Sequence, residues 1–132
     1  MDDTTRYLSL ADVIAVHQFI IDRMGGQALP LRDEGLLESA VMRAQMAAYY
    51  ESADLIRQYA VLAVGIAQAQ AFLDGNKRTG HAAMEVFLFL NGCEIQCSVD
   101  EQERIILRAV SGEMDRKAFT LWLRDHVADV RD

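Results

Sequence analysis

The chain has 132 residues, of which 52% are hydrophobic, so we expect one domain over residues 1–132 with a sizeable core. Its formal net charge of −7 argues against nucleic-acid backbone binding as the main task, because that task needs a basic surface. The N-terminus is polar, and the longest apolar run, residues 59–67, is about half the length of a membrane span, so neither a secretory signal nor a membrane helix is predicted.

Six helices are predicted, most of them opened by a short polar side chain that can accept the first free backbone N–H groups. In chain order the opening residues are Ser9, Asp33, Asp54 or Ser52, Asn76, Ser98 and Asp115. The expected helix ends are Gly25-Gly26, Glu51-Ser52, Gln70, Asn91-Gly92 and Gly112. A loop with the only proline, Pro30, joins the first two helices. Residues 59–67 are apolar nearly all round, so the third helix should be central.

At most one short strand is predicted, in "CEIQC", where Cys93, Ile95 and Cys97 alternate with polar residues and share one face. The spacing of the two cysteines is not the C-x-x-C of metal and redox motifs, so we interpret them as packed thiols in a reducing, cytoplasmic setting. His17 and His126 lie on apolar helical faces and are interpreted as packing residues. The sequence therefore predicts an all-α domain.

The stretch "DGNKRT" lies between two apolar helices, at the start of the fourth. Lys77 and Arg78 place two positive charges in the first helical turn, where the helix dipole disfavours cations. An anion bound at the free N–H groups of the helix end, most simply a polyphosphate, explains this arrangement. Gly75 would let the ligand approach the backbone, and Asp74 would hold a magnesium ion against the phosphates. The alternative is a solvated helix start, with Asn76 either capping the helix or bonded to the turn.

The stretch "AFLDGNKRTG" resembles the core motif of the Fic/Doc family, H-x-F-x-D-[AG]-N-K-R, in its Doc (death-on-curing) branch. The matching residues are Phe72, Asp74, Gly75, Asn76, Lys77 and Arg78. Three further segments resemble Doc-type sequences, namely "YLSLADVIAVHQFII", "LRDEGLLESAVMRAQ" and "AVSGEMDRKAFTLWLRDHV". The resemblance therefore covers almost the whole chain.

The resemblance implies a single Fic/Doc domain of helices, with ATP and magnesium bound at the start of the fourth helix. Asp74 would coordinate the metal. The residues that would hold the phosphates are Asn76, Lys77 and Arg78, with Gly75 allowing close approach. The resemblance also implies the toxin of a toxin–antitoxin pair, which transfers phosphate from ATP to a threonine hydroxyl of elongation factor Tu and stops translation. Its partner would be a small antitoxin that is partly disordered until bound, and no nucleic acid or membrane is expected as a direct partner.

Gln70 stands where the family motif has a histidine that acts as general base. An imidazole with a pKa of about 6.5 accepts a proton at neutral pH, whereas a carboxamide does not, so we expect an inactive or weakened enzyme. His81 is a weaker candidate for a replacement base, and packing or contact with the rim of the site is the simpler interpretation. A substrate-positioning flap is expected near Tyr49-Tyr50-Glu51.

Two other functions are compatible with the sequence: a pseudoenzyme that binds nucleotide and antitoxin without turnover, and an AMP transferase. Lys77 disfavours the second, because the AMP-transferring branch of the family has a glycine at that position. Gln70 itself has two explanations, a deliberate replacement of histidine in a toxic parent or a natural variant with weak or different activity.

Overall fold

Six α-helices and two short strands form the fold in the computed structural model, which describes residues 5–26 and 31–131. In chain order they are α1 (Leu10–Arg23), α2 (Glu34–Glu51), α3 (Leu55–Ala69), α4 (Asn76–Leu90), β1 (Cys93–Ile95), α5 (Val99–Val110), α6 (Arg116–His126) and β2 (Val127–Asp129). The predicted all-α class with about six helices is confirmed. The loop predicted around Pro30 lies partly outside the described residues.

Helix starts follow the predicted capping residues, with one exception. At α1, Ser9 accepts the Asp12 N–H and the Asp12 carboxylate accepts the Ser9 N–H, which completes a capping box. Single side-chain caps are formed in the same way by Asp33, Asp54, Ser98 and Asp115. The exception is α4, whose N-cap is Gly75 in a left-handed conformation (φ 78°), with no side-chain cap. The first N–H groups of α4 are therefore left available to a ligand.

The central element is α3, as its apolar sequence predicts. Every residue from Gln58 to Ala67 is buried, and the helix packs against α2, α4, α5 and α6. Tyr59 meets Phe87 of α4 edge-to-face, with the ring centroids 5.0 Å apart. Despite this apolar character, none of the described helices is both long and apolar enough to cross a membrane.

The backbones of α3 and α4 approach each other closely at Gly80. A Cβ atom added there would lie 2.5 Å from the carbonyl oxygen of Ala63 and 3.2 Å from the backbone nitrogen of Ala67. Only a residue without a side chain fits such a contact. The contact lies just beyond the loop that joins the two helices, so it fixes both ends of the stretch that carries the candidate site.

The short strands β1 and β2 pair antiparallel, with Cys93 opposite Asp129. The described ranges thus contain one strand more than expected, because β2 directly follows α6 and the sequence of its three residues looks like a continuation of that helix. Cys93, in β1, and Cys97, two residues beyond its end, are both free thiols and half-buried. Cys93 packs against the core, as expected, whereas Cys97 is not among the side chains that do.

Candidate active site

A pocket of about 320 Å³ opens at the N-terminus of α4. It is lined by all the residues that the sequence singled out as a site, namely Gln70, Asp74, Gly75, Asn76, Lys77 and Arg78. Met24 at the end of α1 and Leu73 complete the lining. The volume lies at the lower end of the range for small-molecule sites, roughly 300–1,000 Å³. The fold therefore brings the predicted site residues together around one cavity.

Two positive side chains, Lys77 and Arg78, occupy the first turn of α4 beside this pocket. Both are exposed, and neither forms an ion pair within the described ranges 5–26 and 31–131. Their charges add to the positive end of the helix dipole rather than compensating it. The pocket consequently has a positive wall whose two cations form no ion pair with an acidic side chain of the described chain, which suits a phosphate ligand.

Asn76 serves the turn rather than the helix cap. Its Oδ1 accepts the Phe72 N–H at 3.1 Å, and its Nδ2 donates to the Phe72 carbonyl oxygen at 2.9 Å. The side chain is buried, with 8% of the residue exposed. Of the two roles considered from the sequence, the bond to the turn is the one formed. Because both polar side-chain atoms are engaged, the backbone N–H is the group of Asn76 available to a phosphate.

Asp74 lines the pocket and has one carboxylate oxygen without a hydrogen bond. Its Oδ1 accepts the Gly75 N–H at 2.8 Å, while Oδ2 has no hydrogen bond to any described residue. In the described part of the chain, no three histidine, cysteine or acidic side chains cluster as a ready metal cage. Magnesium is commonly held by only one or two carboxylates together with substrate phosphates. Asp74 fits that donor set, so a magnesium ion is compatible with this pocket when phosphates share it.

Gln70 ends α3 in a left-handed conformation, with φ 55° and ψ 36°. Its carbonyl oxygen accepts from Nε of Arg32 at 2.8 Å and also from Nη2 of the same guanidinium. Its side-chain Nε2 donates to the Ala67 carbonyl oxygen at 3.2 Å. The side chain is exposed at the pocket, but a carboxamide offers hydrogen bonds without useful proton affinity.

Comparison with known proteins matches the Fic/DOC family model to residues 7–88, which is more than half of the chain. The chain belongs to the Fic/Doc family. It is 38% identical over 98 residues to a protein named Toxin Doc from Mycolicibacterium smegmatis, covering 73% of this chain and 72% of that protein. It is 35% identical over 111 residues to Protein kinase doc from Escherichia phage P1, covering 83% of this chain and 86% of that protein. Every residue that lines the pocket falls within the part matched by the Fic/DOC model.

His81 does not line the pocket of this Fic/Doc domain. Its Nε2 lies 2.7 Å from Oε1 of Glu85, one turn further along α4, and 3.5 Å from Nε2 of Gln102 on α5. These contacts support the packing interpretation. They direct the His81 ring towards α5, so His81 does not place an imidazole beside Gln70.

His17 is buried in the core of the Fic/Doc domain, with 4% exposed, as its place on the apolar stripe of α1 predicts. Its ring stacks on Phe72, with the centroids 3.7 Å apart and the planes at 5°. Its Nε2 lies 2.9 Å from the carbonyl oxygen of Asp74. A carbonyl only accepts hydrogen bonds, so Nε2 carries the proton. The sequence indicated the burial but not this contact with the family motif.

Arg32 was also missed by the sequence analysis. Besides its guanidinium bonds to Gln70, its backbone N–H donates to the Ala71 carbonyl oxygen at 2.7 Å. Leu31 pairs with Phe72 in a single antiparallel bridge. Nothing local in the sequence marks Arg32, because its partners lie 38 residues away.

The flap expected at Tyr49-Tyr50-Glu51 is instead the last turn of α2, and these residues do not line the pocket.

Proposed function

We propose that this chain is the toxin of a toxin–antitoxin module and that its fold is built to transfer phosphate from ATP to a protein hydroxyl. The proposed acceptor is a threonine of elongation factor Tu, whose modification stops translation. The supporting relatives are those named Toxin Doc and Protein kinase doc. The observation that carries the proposal is that one pocket is lined by two cations without ion pairs, by an uncapped helix N-terminus and by Asp74, which has one carboxylate oxygen without a hydrogen bond.

Each wall of the pocket has a distinct part in this proposal. The backbone N–H groups at the start of α4, with Lys77 and Arg78, bind the phosphates through charge-assisted hydrogen bonds. The left-handed Gly75 keeps the backbone bare where the phosphates approach. Asp74 holds magnesium through its free oxygen. The ion, when bound, neutralises negative charge on the phosphates and so favours transfer to an incoming oxygen.

Lys77 favours transfer of phosphate over transfer of AMP. A lysine adds bulk and charge at the second residue of α4, where the AMP-transferring branch has a glycine. A triphosphate beside this side chain has to lie differently from one beside a glycine. The proposal therefore places the bond to the terminal phosphate, rather than the bond to the α-phosphate, next to the acceptor hydroxyl.

Gln70 supports a second candidate, a pseudoenzyme that binds nucleotide and antitoxin but turns over slowly. The general base normally takes the proton from the attacking hydroxyl, and its absence lowers the rate by about 10²- to 10⁴-fold. Gln70 can still orient a hydroxyl through its carboxamide. Phosphate transfer and slow turnover are compatible with each other. The transfer rate of the Gln70→His variant distinguishes the two candidates, because it rises in a weakened kinase and stays low in a binding protein.

The proposed antitoxin has a suitable surface in the groove between α1 and α4, a separate cavity of about 440 Å³. Its lining is almost entirely apolar and comprises Ala15, Val16, Phe19, Ile20, Ala82, Glu85 and Val86. Phe19 is 59% exposed, and although the Arg23 guanidinium lies 5.4 Å from the centroid of its ring, its apolar surface remains open to a partner. An amphipathic helix binds such a groove through its apolar side. The net charge of −7 further favours a basic partner segment.

The nucleotide assignment is tested by calorimetry with ATP, with and without magnesium. Lys77→Ala should weaken ATP binding by about 10- to 100-fold, because a charge-assisted hydrogen bond contributes about 1.5–3 kcal/mol. Lys117→Ala is the matched control, since Lys117 is exposed and is also the second residue of its helix, α6, but lies outside the pocket. Equal binding by both variants, or no ATP binding by the unsubstituted chain, would contradict the assignment.

The reaction class is tested by mass analysis of elongation factor Tu after incubation with the Gln70→His chain and ATP. The proposal predicts a gain of one phosphate on a threonine. A gain of one AMP would show transferase chemistry instead. Growth arrest by the same variant, relieved when the small protein encoded immediately upstream is co-expressed, is the expected result in cells. Unchanged growth in every combination would contradict the toxin assignment.

A further inference from the structure

The peptide group between Asp74 and Gly75 is held at both of its polar ends. Its carbonyl oxygen accepts the His17 Nε2–H at 2.9 Å, and its N–H donates to Oδ1 of Asp74 at 2.8 Å. Rotation of this peptide plane would break both bonds together. The orientation of the plane therefore helps to fix the orientation of the Asp74 carboxylate, of which one oxygen is bonded to Gly75 and the other is free.

His17 is well placed to fix that peptide plane, because several independent contacts hold its own side chain in position. It lies on the buried face of α1 with Val13 and Ile21, one helical turn to either side. Its ring is stacked on Phe72, whose backbone is in turn bonded by both polar side-chain atoms of Asn76. A donor held on a helix and sandwiched by packing keeps its direction better than one on a mobile side chain.

We propose that His17 is a positioning residue that aims the free carboxylate oxygen of Asp74 into the pocket by anchoring the Asp74–Gly75 peptide. This role rests on the proposed function, in which that oxygen holds magnesium. His17 touches neither metal nor nucleotide. It acts through the hydrogen bond to the Asp74 carbonyl, so what matters is the N–H donor and not the charge of the ring.

Three substitutions separate the donor from the packing. His17→Phe keeps an aromatic ring against Phe72 but removes the donor. His17→Gln and His17→Met are similar in size and differ mainly in that only glutamine has an N–H group to donate. Retained helical circular dichroism identifies the variants that fold, and the Gln–Met pair preserves the comparison if the phenylalanine variant does not fold.

The first measurement is the ATP affinity of the full chain with saturating magnesium and with EDTA, which gives the gain in affinity due to the metal. Loss of a group that orients a metal ligand lowers metal affinity by about 10- to 100-fold. We expect that reduction in the gain for the Phe and Met variants, little change for Gln, and unchanged affinity in EDTA. Equal losses with and without magnesium, or no difference between Gln and Met, would overturn the inference.

The second measurement needs no ligand and is the hydrogen exchange rate of the Gly75 amide. We expect faster exchange in the Phe and Met variants than in the unsubstituted chain and the Gln variant. The Thr79 amide, bonded at 2.9 Å to the Gly75 carbonyl oxygen within α4, should be unaffected. Equal Gly75 rates in all four chains would overturn the role of His17. An absence of any magnesium effect in the unsubstituted chain, with the Gly75 difference present, would count against the proposed function alone.

Discussion

Residue 70 combines an ordinary backbone role with an unusual side chain. Its left-handed conformation ends α3, and two hydrogen bonds from Arg32 hold its carbonyl oxygen. Histidine and asparagine both tolerate this conformation better than most residues. Substitution by either one should therefore leave the loop in place, and any change in rate then reports on the side chain itself.

Gln70→His should raise the phosphate transfer rate by about 10²- to 10⁴-fold, because it supplies a base that is partly neutral at pH 7. Transfer from radiolabelled ATP to elongation factor Tu measures the rate. Gln70→Asn is the control, since it keeps a carboxamide and should stay at the rate of the chain with Gln70. If the histidine variant is as slow as the asparagine one, the kinase assignment fails.

Single residues of the site were predictable where the signal is local. The cations Lys77 and Arg78 stand out against the helix dipole, and Asp74 and Gly75 precede them directly. The contacts of His17 and Arg32 with the same loop join residues 57 and 38 positions apart. Such pairings depend on how helices pack, which no short stretch of sequence encodes.

Among the elements, the α3–α4 contact depends on a single glycine. Gly80→Ala should destabilise the fold by about 1–3 kcal/mol, because the added methyl group overlaps the Ala63 carbonyl oxygen and only a shift of the helices relieves it. Gly65→Ala is the matched control in α3, where the nearest atom to an added Cβ, the Ala40 carbonyl oxygen, is 3.8 Å away. That control should be neutral or stabilising by up to about 1 kcal/mol, since alanine favours the helix. Urea unfolding compares the two, and similar effects would contradict the close approach.

Asp54 joins two elements, because it caps α3 and its Oδ2 lies 2.6 Å from Nη1 of Arg124 on α6. The hydrogen bond from Arg124 lowers the pKa of Asp54 below its ordinary value of 3.8. A carboxyl group with a lowered pKa in the folded chain stabilises the fold above its ordinary pKa. That stabilisation is lost as the pH falls through the lowered value.

Asp54→Asn should lower the melting temperature slightly at pH 7, since asparagine retains the cap but not the ion pair. The difference from the unsubstituted chain should shrink as the pH falls below 3.8 and through the lowered pKa of Asp54. Arg124→Gln should behave alike, and the double variant should be no worse than either single one. A melting difference that does not depend on pH would argue against the ion pair.

Element boundaries were largely predictable, and the reason is the capping residues. Five helices begin after the expected Ser or Asp caps, and α4 begins at Asn76, as expected, behind a glycine. The strand β2 was not predictable, because Val127–Asp129 is too short to show an alternating pattern and gains its identity only by pairing with β1. Local chemistry thus specifies where helices begin, whereas pairing between distant short strands is a property of the packed chain.

On the scale of the whole molecule, the pocket and the α1–α4 groove are separate surfaces that share α1 and α4. Phe19→Glu should abolish relief of growth arrest by the upstream protein in the Gln70→His background, because it places a charge in the apolar groove. Leu121→Glu is the control, since Leu121 is 57% exposed, close to the 59% of Phe19, but lies on α6 outside the groove. Relief that survives Phe19→Glu would place the partner elsewhere.

The loop between α3 and α4 has little freedom, because the two helices pack closely at Gly80 and the Asn76 side chain, at the start of α4, holds the Phe72 backbone in the loop by two hydrogen bonds. A phosphate that reaches the start of α4 meets hydrogen-bond donors that are already in position, so binding loses little conformational entropy in ordering them. The affinity of the site for phosphate then depends mainly on electrostatic attraction, so added salt should weaken binding more than an agent that makes the loop more flexible. Sulfate or phosphate buffers will compete directly with nucleotide at this site, and a neutral, halide-free buffer of low ionic strength is the medium in which its binding is strongest.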